Sequence, residues 1–374
     1  ILEVMKGSYK YILSAFAAMA VMALHSGCVE HLEEDFLPET EYVSFKATLE
    51  DGSKPLVTKG YMGTFDFEEE DWVLSPEAAT KSSLLTSLDK LTAGLFGYVY
   101  NGKWSSDNSP LKSLINDHPY TFDTDQLDAD DPVRWSQVEE YGADGYNFRV
   151  FAYAPKDKVS PTYEIPASDG TDAKGTPVIE MPDVLAKNDK GEYLYQNDII
   201  VADNAVSMDY TDKSEHRKAI PLDFEHIYTA IQFKAGFDCT IKSLTMTEIQ
   251  TGGNYVIGSG WNLLSSTGTY SMTVPDGGLS VSAGENIGDL ILMLPQTISS
   301  SAAEIRLTYS DGSTDNVIYA SLKGLEWEQG KKITYTLMKE SDREYIYLDL
   351  AAGEIKVTEK TYTGYVFVNK EPKL

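Results

Sequence analysis

The chain has 374 residues, of which 42% are hydrophobic and 24% are charged, so it can bury a sizeable core and is too long for one ordinary small domain. Its formal net charge of −27 argues against the positively charged surface that nucleic acids and anionic lipids require. The 24 tyrosines, with many Thr, Val and Ile residues, favour β-structure. We therefore expect a mostly β protein of two domains that does not bind nucleic acid.

The N-terminus has the pattern of an export signal. A short basic region precedes an apolar run over residues 11–24, which is shorter than the roughly 20 residues needed to span a bilayer. Small residues then lead to Cys28 in a context that resembles a lipobox, although His25 stands where that motif usually has Leu. We predict a signal peptide over residues 1–27, lipid attachment at Cys28, and an acidic tether over residues 28–40.

The chain contains two cysteines, Cys28 and Cys239. If lipid consumes the thiol of Cys28, Cys239 has no partner in the chain, and we expect it to be a small buried side chain in a strand. The alternative is a disulfide between the two, which an oxidising export compartment would permit.

The first predicted domain, residues 41–212, combines strands with one helix. Apolar and polar side chains alternate in residues 42–49 (YVSFKATL), which predicts a strand with one buried face. Leucines at helical spacing after Ser75-Pro76 predict a short helix near residues 76–92. Further strands are predicted at residues 95–100, 148–154 and 198–202, whereas residues 104–145 and 155–190 are rich in acidic and turn residues and are predicted as loops.

The second predicted domain, residues 213–340, follows a polar stretch at residues 210–218. Short strands recur here at regular spacing with Gly-rich turns, which is typical of a β-sandwich. Asp311-Gly312 predicts a hairpin turn between two of them. The predicted strands cover residues 220–224, 226–235, 240–249, 254–257, 268–274, 290–294, 305–309, 316–322 and 332–337.

Residues 341–374 form a β-rich extension beyond the second domain. The extension contains three β-like pieces, EYIYLDL, EIKVT and TYTGYVFV. It is either a donor segment or the start of a further domain. The alternation in the last piece, residues 361–368, suits a strand that inserts into another subunit and suits an ordinary edge hairpin equally well.

No constellation of residues in the sequence points to catalysis, a metal or a cofactor. The five histidines are not spaced as a zinc pair, and His226, at the start of a predicted strand, is interpreted as structural. Five aspartates within residues 123–131 lack the spacing of a calcium loop, so a solvated acidic loop is favoured. Two S-x-x-K matches have no companion motif. We therefore predict that the protein is not an enzyme and has no cofactor.

Several segments together resemble the fimbrillin, or type V pilin, family of lipoproteins of Gram-negative anaerobes. Cys28 in its lipobox-like context is followed by YVSFKATL and then by Thr58-Lys59-Gly60. Each segment alone mostly encodes a strand, but their order extends over nearly the whole chain. The later segments are DIIVADNAVSM (198–208), IPLDFEHIYTAIQFKAGF (220–237), LILMLPQTIS (290–299) and WEQGKKITYTL (327–337).

The resemblance implies two tandem transthyretin-like β-sandwich domains that assemble by strand exchange. A protease removes the first strand of such a precursor by cutting after a basic residue, usually Arg, and a strand from the neighbouring subunit then fills the groove. The matching position here is Lys59, where Lys replaces the usual Arg. A minor or tip subunit that keeps its first strand and its lipid would also fit.

We predict a structural, tip or anchor subunit of a cell-surface fimbria that contributes to adhesion. Its expected partners are other fimbrial subunits, the outer membrane through the lipid anchor, and a host or bacterial surface ligand. The alternative is a monomeric surface lipoprotein that binds a glycan or a host protein through aromatic side chains such as Trp104, Trp135 and Trp261. A glycosidase is a third interpretation, for which a catalytic constellation is missing.

Overall fold

The computed structural model describes residues 43–49, 84–101, 104, 112–122, 133–140, 146–163, 175–207, 219–312, 314–340, 343–349 and 362–365. All of them belong to the unit Glu41–Leu374, which clusters separately from Ile1–Thr40. The predicted signal peptide, the tether, Cys28 and Lys59 lie outside the described residues.

Strands dominate the described residues, which contain one short helix, α1 (Trp135–Glu140), so the prediction of a mostly β fold with a short helix is confirmed. The first seven strands are β1 (Ser44–Leu49), β2 (Thr92–Asn101), β3 (Lys112–Thr121), β4 (Tyr146–Ala154), β5 (Val178–Met181), β6 (Ile200–Ser207) and β7 (Ile220–His226). The next seven are β8 (Thr229–Ala235), β9 (Cys239–Gln250), β10 (Gly253–Val256), β11 (Gly260–Leu263), β12 (Thr267–Ser271), β13 (Leu279–Val281) and β14 (Ile291–Met293). The last seven are β15 (Gln296–Thr297), β16 (Glu304–Ser310), β17 (Asp315–Ser321), β18 (Glu326–Trp327), β19 (Lys332–Glu340), β20 (Arg343–Asp349) and β21 (Tyr362–Tyr365).

A seven-stranded sheet contains most of the N-terminal strands, in the order β21-β1-β7-β6-β4-β2-β3. β1 runs parallel to β7, and the other neighbours in this sheet are antiparallel. Strands close in sequence are therefore not always neighbours in the sheet, since β1 is separated from β2 by three other strands.

The central strands of this sheet are buried on both faces, because successive side chains of a strand point in opposite directions. Leu95 and Val99 of β2 enter one apolar cluster, which α1 covers with Trp135 and Val138. The other face of β2 enters the larger cluster that continues into the C-terminal half. One sheet thus connects two cores.

Gly94 of β2 allows an aromatic ring to lie flat across the strand. Its register partner on β4 is Tyr153, and a Cβ atom at position 94 would overlap the Tyr153 ring. The Tyr153 hydroxyl donates to Asp117 Oδ1 at 2.7 Å, and Lys156 Nζ lies 2.5 Å from the same oxygen. Asp117 adopts a φ of 46° in β3, where the register with β2 shifts. This bulge in β3 places the Asp117 carboxylate against the Tyr153 ring, for which Gly94 leaves room.

The C-terminal strands form two further sheets whose apolar faces share one core. One sheet has the order β12-β9-β16-β17, with β13 also on β9, and the other has the order β14-β8-β19-β20. Their inward side chains, for example Leu244, Leu307 and Phe233, belong to the larger cluster. Two smaller sheets, β11-β10-β5 and β15-β18, complete the set. The arrangement of these sheets as a β-sandwich, which the short, evenly spaced strands predicted, stays a prediction.

Two strands connect the sequence regions on either side of the predicted boundary near residue 212. β7 follows that boundary but pairs with β1 and β6, and β21 of the C-terminal extension pairs with β1. The division into domains at residues 41–212 and 213–340, with an extension at residues 341–374, stays a prediction.

The helix predicted near residues 76–92 is not present over its described part, residues 84–91. Its backbone N–H groups have distant partners instead: Leu85 N donates to Asp198 Oδ2, and Lys90 N donates to the Phe122 carbonyl. Lys90 also has a φ of 59°. The leucines at helical spacing pack individually into the two apolar clusters. Tertiary contacts have therefore overridden a local helical pattern.

Three regions differ from the predicted strands and loops. Residues 104–145 contain β3 and α1, and residues 155–190 contain β5, so neither region is only loop. β3 shows no regular alternation of buried and exposed side chains, which hid it from a period-two pattern. The strand predicted over residues 226–235 is interrupted at Ile227 and Tyr228, because the chain leaves the seven-stranded sheet after β7 and enters another with β8.

We expect Gly94→Val to destabilise the fold, because the new side chain must displace the buried Tyr153 ring and its bond to Asp117. Overpacking of this kind costs about 1–3 kcal/mol of unfolding free energy. Urea denaturation followed by tryptophan fluorescence measures the loss. Ala205→Val, at an exposed strand position, is the matched control and should leave the midpoint nearly unchanged. Equal midpoints for both variants would contradict this account of Gly94.

Candidate functional site: the place of the first strand

The first strand presents one fully apolar face to the core. Val43 and Phe45 are 0% exposed, Ala47 is 1% exposed and Leu49 is 9% exposed. The intervening Thr48 is only partly buried, and its hydroxyl donates to the carboxylate of Asp223. The alternation of apolar and polar residues that predicted this strand therefore matches the alternation of buried and less buried side chains in the structure.

β1 lies between two strands that are far from it in sequence. Its parallel partner is β7, with a register that runs from Phe45 opposite Ile220 to Leu49 opposite Phe224. Its antiparallel partner is β21, with Ala47 opposite Tyr362. Just before β1, Val43 N donates to the carbonyl oxygen of Val133 at 2.8 Å. These contacts are all non-covalent.

The groove that receives β1 is lined by aromatic and branched side chains. β7 contributes Ile220, Leu222 and Phe224, none more than 1% exposed. Tyr120 meets the Phe45 ring edge-on, with the ring centroids 6.2 Å apart, and Phe122 meets Phe224 at 5.6 Å. Such edge-to-face pairs define the shape of a groove more closely than aliphatic contacts do.

The energetic consequence of this burial is large for a single short strand. Burying a Val, Leu or Phe side chain contributes about 1.5–3 kcal/mol, so the apolar face of β1 contributes on the order of 5–10 kcal/mol before ordering costs. Its removal would leave the backbone edge of β7 unpaired and the groove open to water. A bare edge of this kind pairs readily with another strand.

The described segment that precedes β2 is anchored by a buried pair of side chains. His226 Nδ1 lies 2.7 Å from Asp198 Oδ2, and the side chains are 2% and 1% exposed. Leu85 N donates to the same oxygen at 2.8 Å. The described chain after residue 83 is therefore attached to the junction of β6 and β7 independently of β1.

The chemistry available to this pair is limited by its burial. Asp198 Oδ1 and His226 Nε2 have no hydrogen-bond partner among the described residues. Burial first, and then the neighbouring Asp198 carboxylate, raises the pKa of Tyr228 above its usual value, so this hydroxyl stays protonated. A side chain that is 2% exposed cannot meet a substrate, so the pair positions the chain, in keeping with the structural role predicted for His226.

The other residues singled out in the sequence are distributed without forming a second site. The five aspartates of residues 123–131 and three of the histidines lie outside the described residues, and His118 lies in β3. Within the described ranges no cluster of His, Cys, Asp or Glu has a metal-binding arrangement. Cys239 is a free, buried thiol at the start of β9, and burial raises its pKa to about 11. No helix of the described part is long and apolar enough to cross a membrane.

The three tryptophans proposed for ligand stacking are packed against the protein. Trp135 is 0% exposed, in the cluster that contains β1. Trp104 and Trp261 are partly buried against the larger cluster, and their indole N–H groups donate to Thr176 Oγ1 and to the Ile227 carbonyl oxygen. Trp135 is therefore unavailable for ligand stacking, because the helix that carries it covers a sheet.

Comparison with known proteins identifies the family of this chain. The profile of the fimbrillin-like family matches residues 89–346. The chain belongs to the fimbrillin-like family. Fimbrillin-like proteins are fimbrial and adhesion proteins and not enzymes, and the family implies a location at the cell surface. The resemblance noted in the sequence is therefore confirmed.

Several solved structures of bacterial proteins have a distant likeness to this chain. A candidate cell adhesion protein from Bacteroides uniformis is 15% identical, with a TM-score of 0.41, over 83% of this chain and 98% of that protein. A fimbrial assembly protein from Parabacteroides distasonis is 10% identical, with a TM-score of 0.38, over 82% and 98%. The fimbrial anchor protein Mfa2 from Porphyromonas gingivalis is 11% identical, with a TM-score of 0.36, over 84% and 98%. No curated protein matches this fimbrillin-like chain.

We expect Phe45→Ala to cost about 3–5 kcal/mol of unfolding free energy, because it empties the centre of the groove beside Tyr120. Thr48→Ser, which keeps the hydroxyl on the other face of β1, is the control and should cost under about 1 kcal/mol. Denaturant titration of both variants makes the comparison. A loss for Phe45→Ala no larger than that of the control would show that β1 contributes little to the core.

We expect His226→Ala to cost about 3–5 kcal/mol of unfolding free energy, because it leaves the buried Asp198 carboxylate without the imidazole that contacts it. The double variant Asp198→Ala with His226→Ala should lose less unfolding free energy than the two single variants lose together. The reason is that it also removes the carboxylate that His226→Ala leaves uncompensated. A double-mutant cycle in denaturant measures this coupling. Strictly additive losses would contradict a direct interaction.

Proposed function

We propose that this chain is a structural, tip or anchor subunit of a surface fimbria, and that β1 is its exchangeable strand. The proposal includes two tandem transthyretin-like sandwiches, lipid on Cys28, attachment to the outer membrane, and a role in adhesion. The observation that supports it most is the burial of β1 between β7 and β21 by contacts that a foreign strand of the same pattern could replace.

The order of elements along the chain suits removal of β1. Lys59 lies in the connection between Leu49, where β1 ends, and Leu84, where the described chain resumes. A cut there separates β1 from the body, while the bond between Leu85 N and Asp198 still anchors the chain that leads into β2. The body would then keep its cores and lose only the strand that fills the groove.

The C-terminal extension is the proposed donor. Residues 361–368 alternate in the same way as β1, and β21, which contains four of them, pairs with β1 in an unbroken antiparallel register. In a fibre, the corresponding segment of a neighbouring subunit would occupy the place of β1. β-Strand addition supplies affinity through backbone bonds and selectivity through side-chain pockets, here the pockets of Phe45 and Leu49.

An anchor subunit would use the same geometry without the cut. It would keep β1 in the groove and its lipid on Cys28, so that it could donate a strand but not accept one. A monomeric glycan-binding role through Trp135 is not supported, because that side chain is buried. The state of the bond after Lys59 therefore distinguishes a shaft subunit, which loses its first strand, from an anchor, minor or tip subunit that keeps it.

We expect protein beginning at residue 29 to give no strand-exchanged oligomers that resist SDS until the segment before Gly60 is cut off. Brief trypsin treatment, followed by SDS gels of unheated samples, should then give a ladder of oligomers, with Gly60 as the new N-terminus by sequencing. The physical reason is the gain of on the order of 10 kcal/mol that an inserted strand makes in the vacated groove.

Two variants control this experiment. Lys59→Gln should resist cutting at this bond and form no ladder, and protein that ends at residue 340 should be cut normally yet form none, because it lacks the donor. A synthetic peptide of residues 42–49 added during the cut should suppress the ladder by refilling the groove. Trimmed protein that loses β1 and remains monomeric would refute the proposal.

A further inference from the structure

Several sheet edges in the described residues are protected against pairing with another chain. β3, at one end of the seven-stranded sheet, carries Pro119, the left-handed Asp117 and a shifted register with β2. β12 has five residues and an irregular register with β9, and β14 has three residues. A proline, a bulge or a short length each prevents a continuous new ladder.

β17 has none of these protections. Its seven residues contain no proline, glycine or lysine, and all of them pair with β16 in an unbroken antiparallel register. No other described strand forms a ladder with β17, and the nearby β20 pairs with β19. β17 is thus a regular edge strand of the C-terminal half.

Two large apolar side chains of β17 face the solvent. Val317 is 43% exposed and Tyr319 is 58% exposed, the highest value among the exposed large hydrophobic residues. They lie two residues apart and therefore on the same face, while Ile318 between them is buried in the core. Arg306 of β16 lies 5.7 Å from the Tyr319 ring and supports its orientation.

We propose that β17 is a self-association surface, at which a second copy of this chain adds its own β17 antiparallel about a two-fold axis through Ile318. In this register Val317 lies opposite Tyr319 of the second copy, and the reverse pair forms by symmetry. Asp315 lies opposite Ser321 of the second copy, so no two like charges face each other. A β-branched residue beside an aromatic one is a favourable cross-strand pair, and a two-fold axis provides it twice.

The occupant is a second copy because this strand is complementary to itself. Pairing joins the sheet β12-β9-β16-β17 to its symmetry mate and covers both exposed side chains of each copy. The net charge of −27 on each chain opposes association at long range. The dimer should therefore strengthen between about 0.05 and 0.5 M NaCl, as the Debye length falls from roughly 14 Å to 4 Å.

Sedimentation velocity of uncut protein beginning at residue 29 tests the proposal, since uncut protein retains β1 and does not exchange strands. We expect a reversible dimer that dissociates on dilution. Val317→Glu with Tyr319→Glu places like charges opposite each other twice and should weaken the dimer about tenfold or more. Val317→Lys with Tyr319→Glu places opposite charges there and should restore most of the affinity.

Leu194→Glu with Leu264→Glu, at two other exposed apolar positions, is the matched control and should leave the dimer constant unchanged apart from the added charge. Wild-type protein that is monomeric at every concentration and salt would overturn the proposal. So would a Lys/Glu variant that dissociates as readily as the Glu/Glu variant. Neither result bears on the ladder formed after trimming, so the failure of this surface is distinguishable from the failure of strand exchange.

Discussion

The pairing of β1 with β7 is the interaction on which the functional account depends. A strand of six residues, attached by a long connection and held by parallel backbone bonds, fills a groove that the rest of the chain has already shaped. Phe45 and Leu49 provide affinity through apolar burial, while the register with Ile220 and Phe224 determines which face is buried. A groove that specifies pattern and register and not a particular sequence can accept any strand that has the same alternation.

The remaining features of the seven-stranded sheet would keep the proposed exchange local. The Asp198–His226 pair and Leu85 attach the chain independently of β1, so loss of the strand need not unravel the next one. At the opposite edge, the bulge at Asp117 and Pro119 prevents β3 from pairing with other chains. The sheet thus has one edge adapted for pairing and one adapted against it, which favours ordered growth over aggregation.

Alternation in the sequence located β1 because this strand buries every second side chain, and periodicity detects that directly. The prediction of a helix near residues 76–92 was wrong because its leucines pack into two different apolar clusters from an irregular backbone. The spacing of the leucines in the sequence cannot distinguish this arrangement from a helix. The partners of β1 could not be predicted, since β7 and β21 are remote in sequence and strand pairing depends on topology. The buried Asp198–His226 pair could not be predicted either, because the sequence around each residue gives no indication of the other.

The most direct measurement of the central claim is amide hydrogen exchange of β7 before and after loss of residues 1–59, in protein that ends at residue 340 and therefore lacks the proposed donor strand. If β1 is the exchangeable partner of β7, the amides of Ile220–His226 should be protected in intact protein, exchange rapidly once β1 has left, and regain protection when a peptide of residues 42–49 is added. Protection of β7 that stays unchanged when β1 leaves would show that the groove does not depend on this strand and would contradict the account.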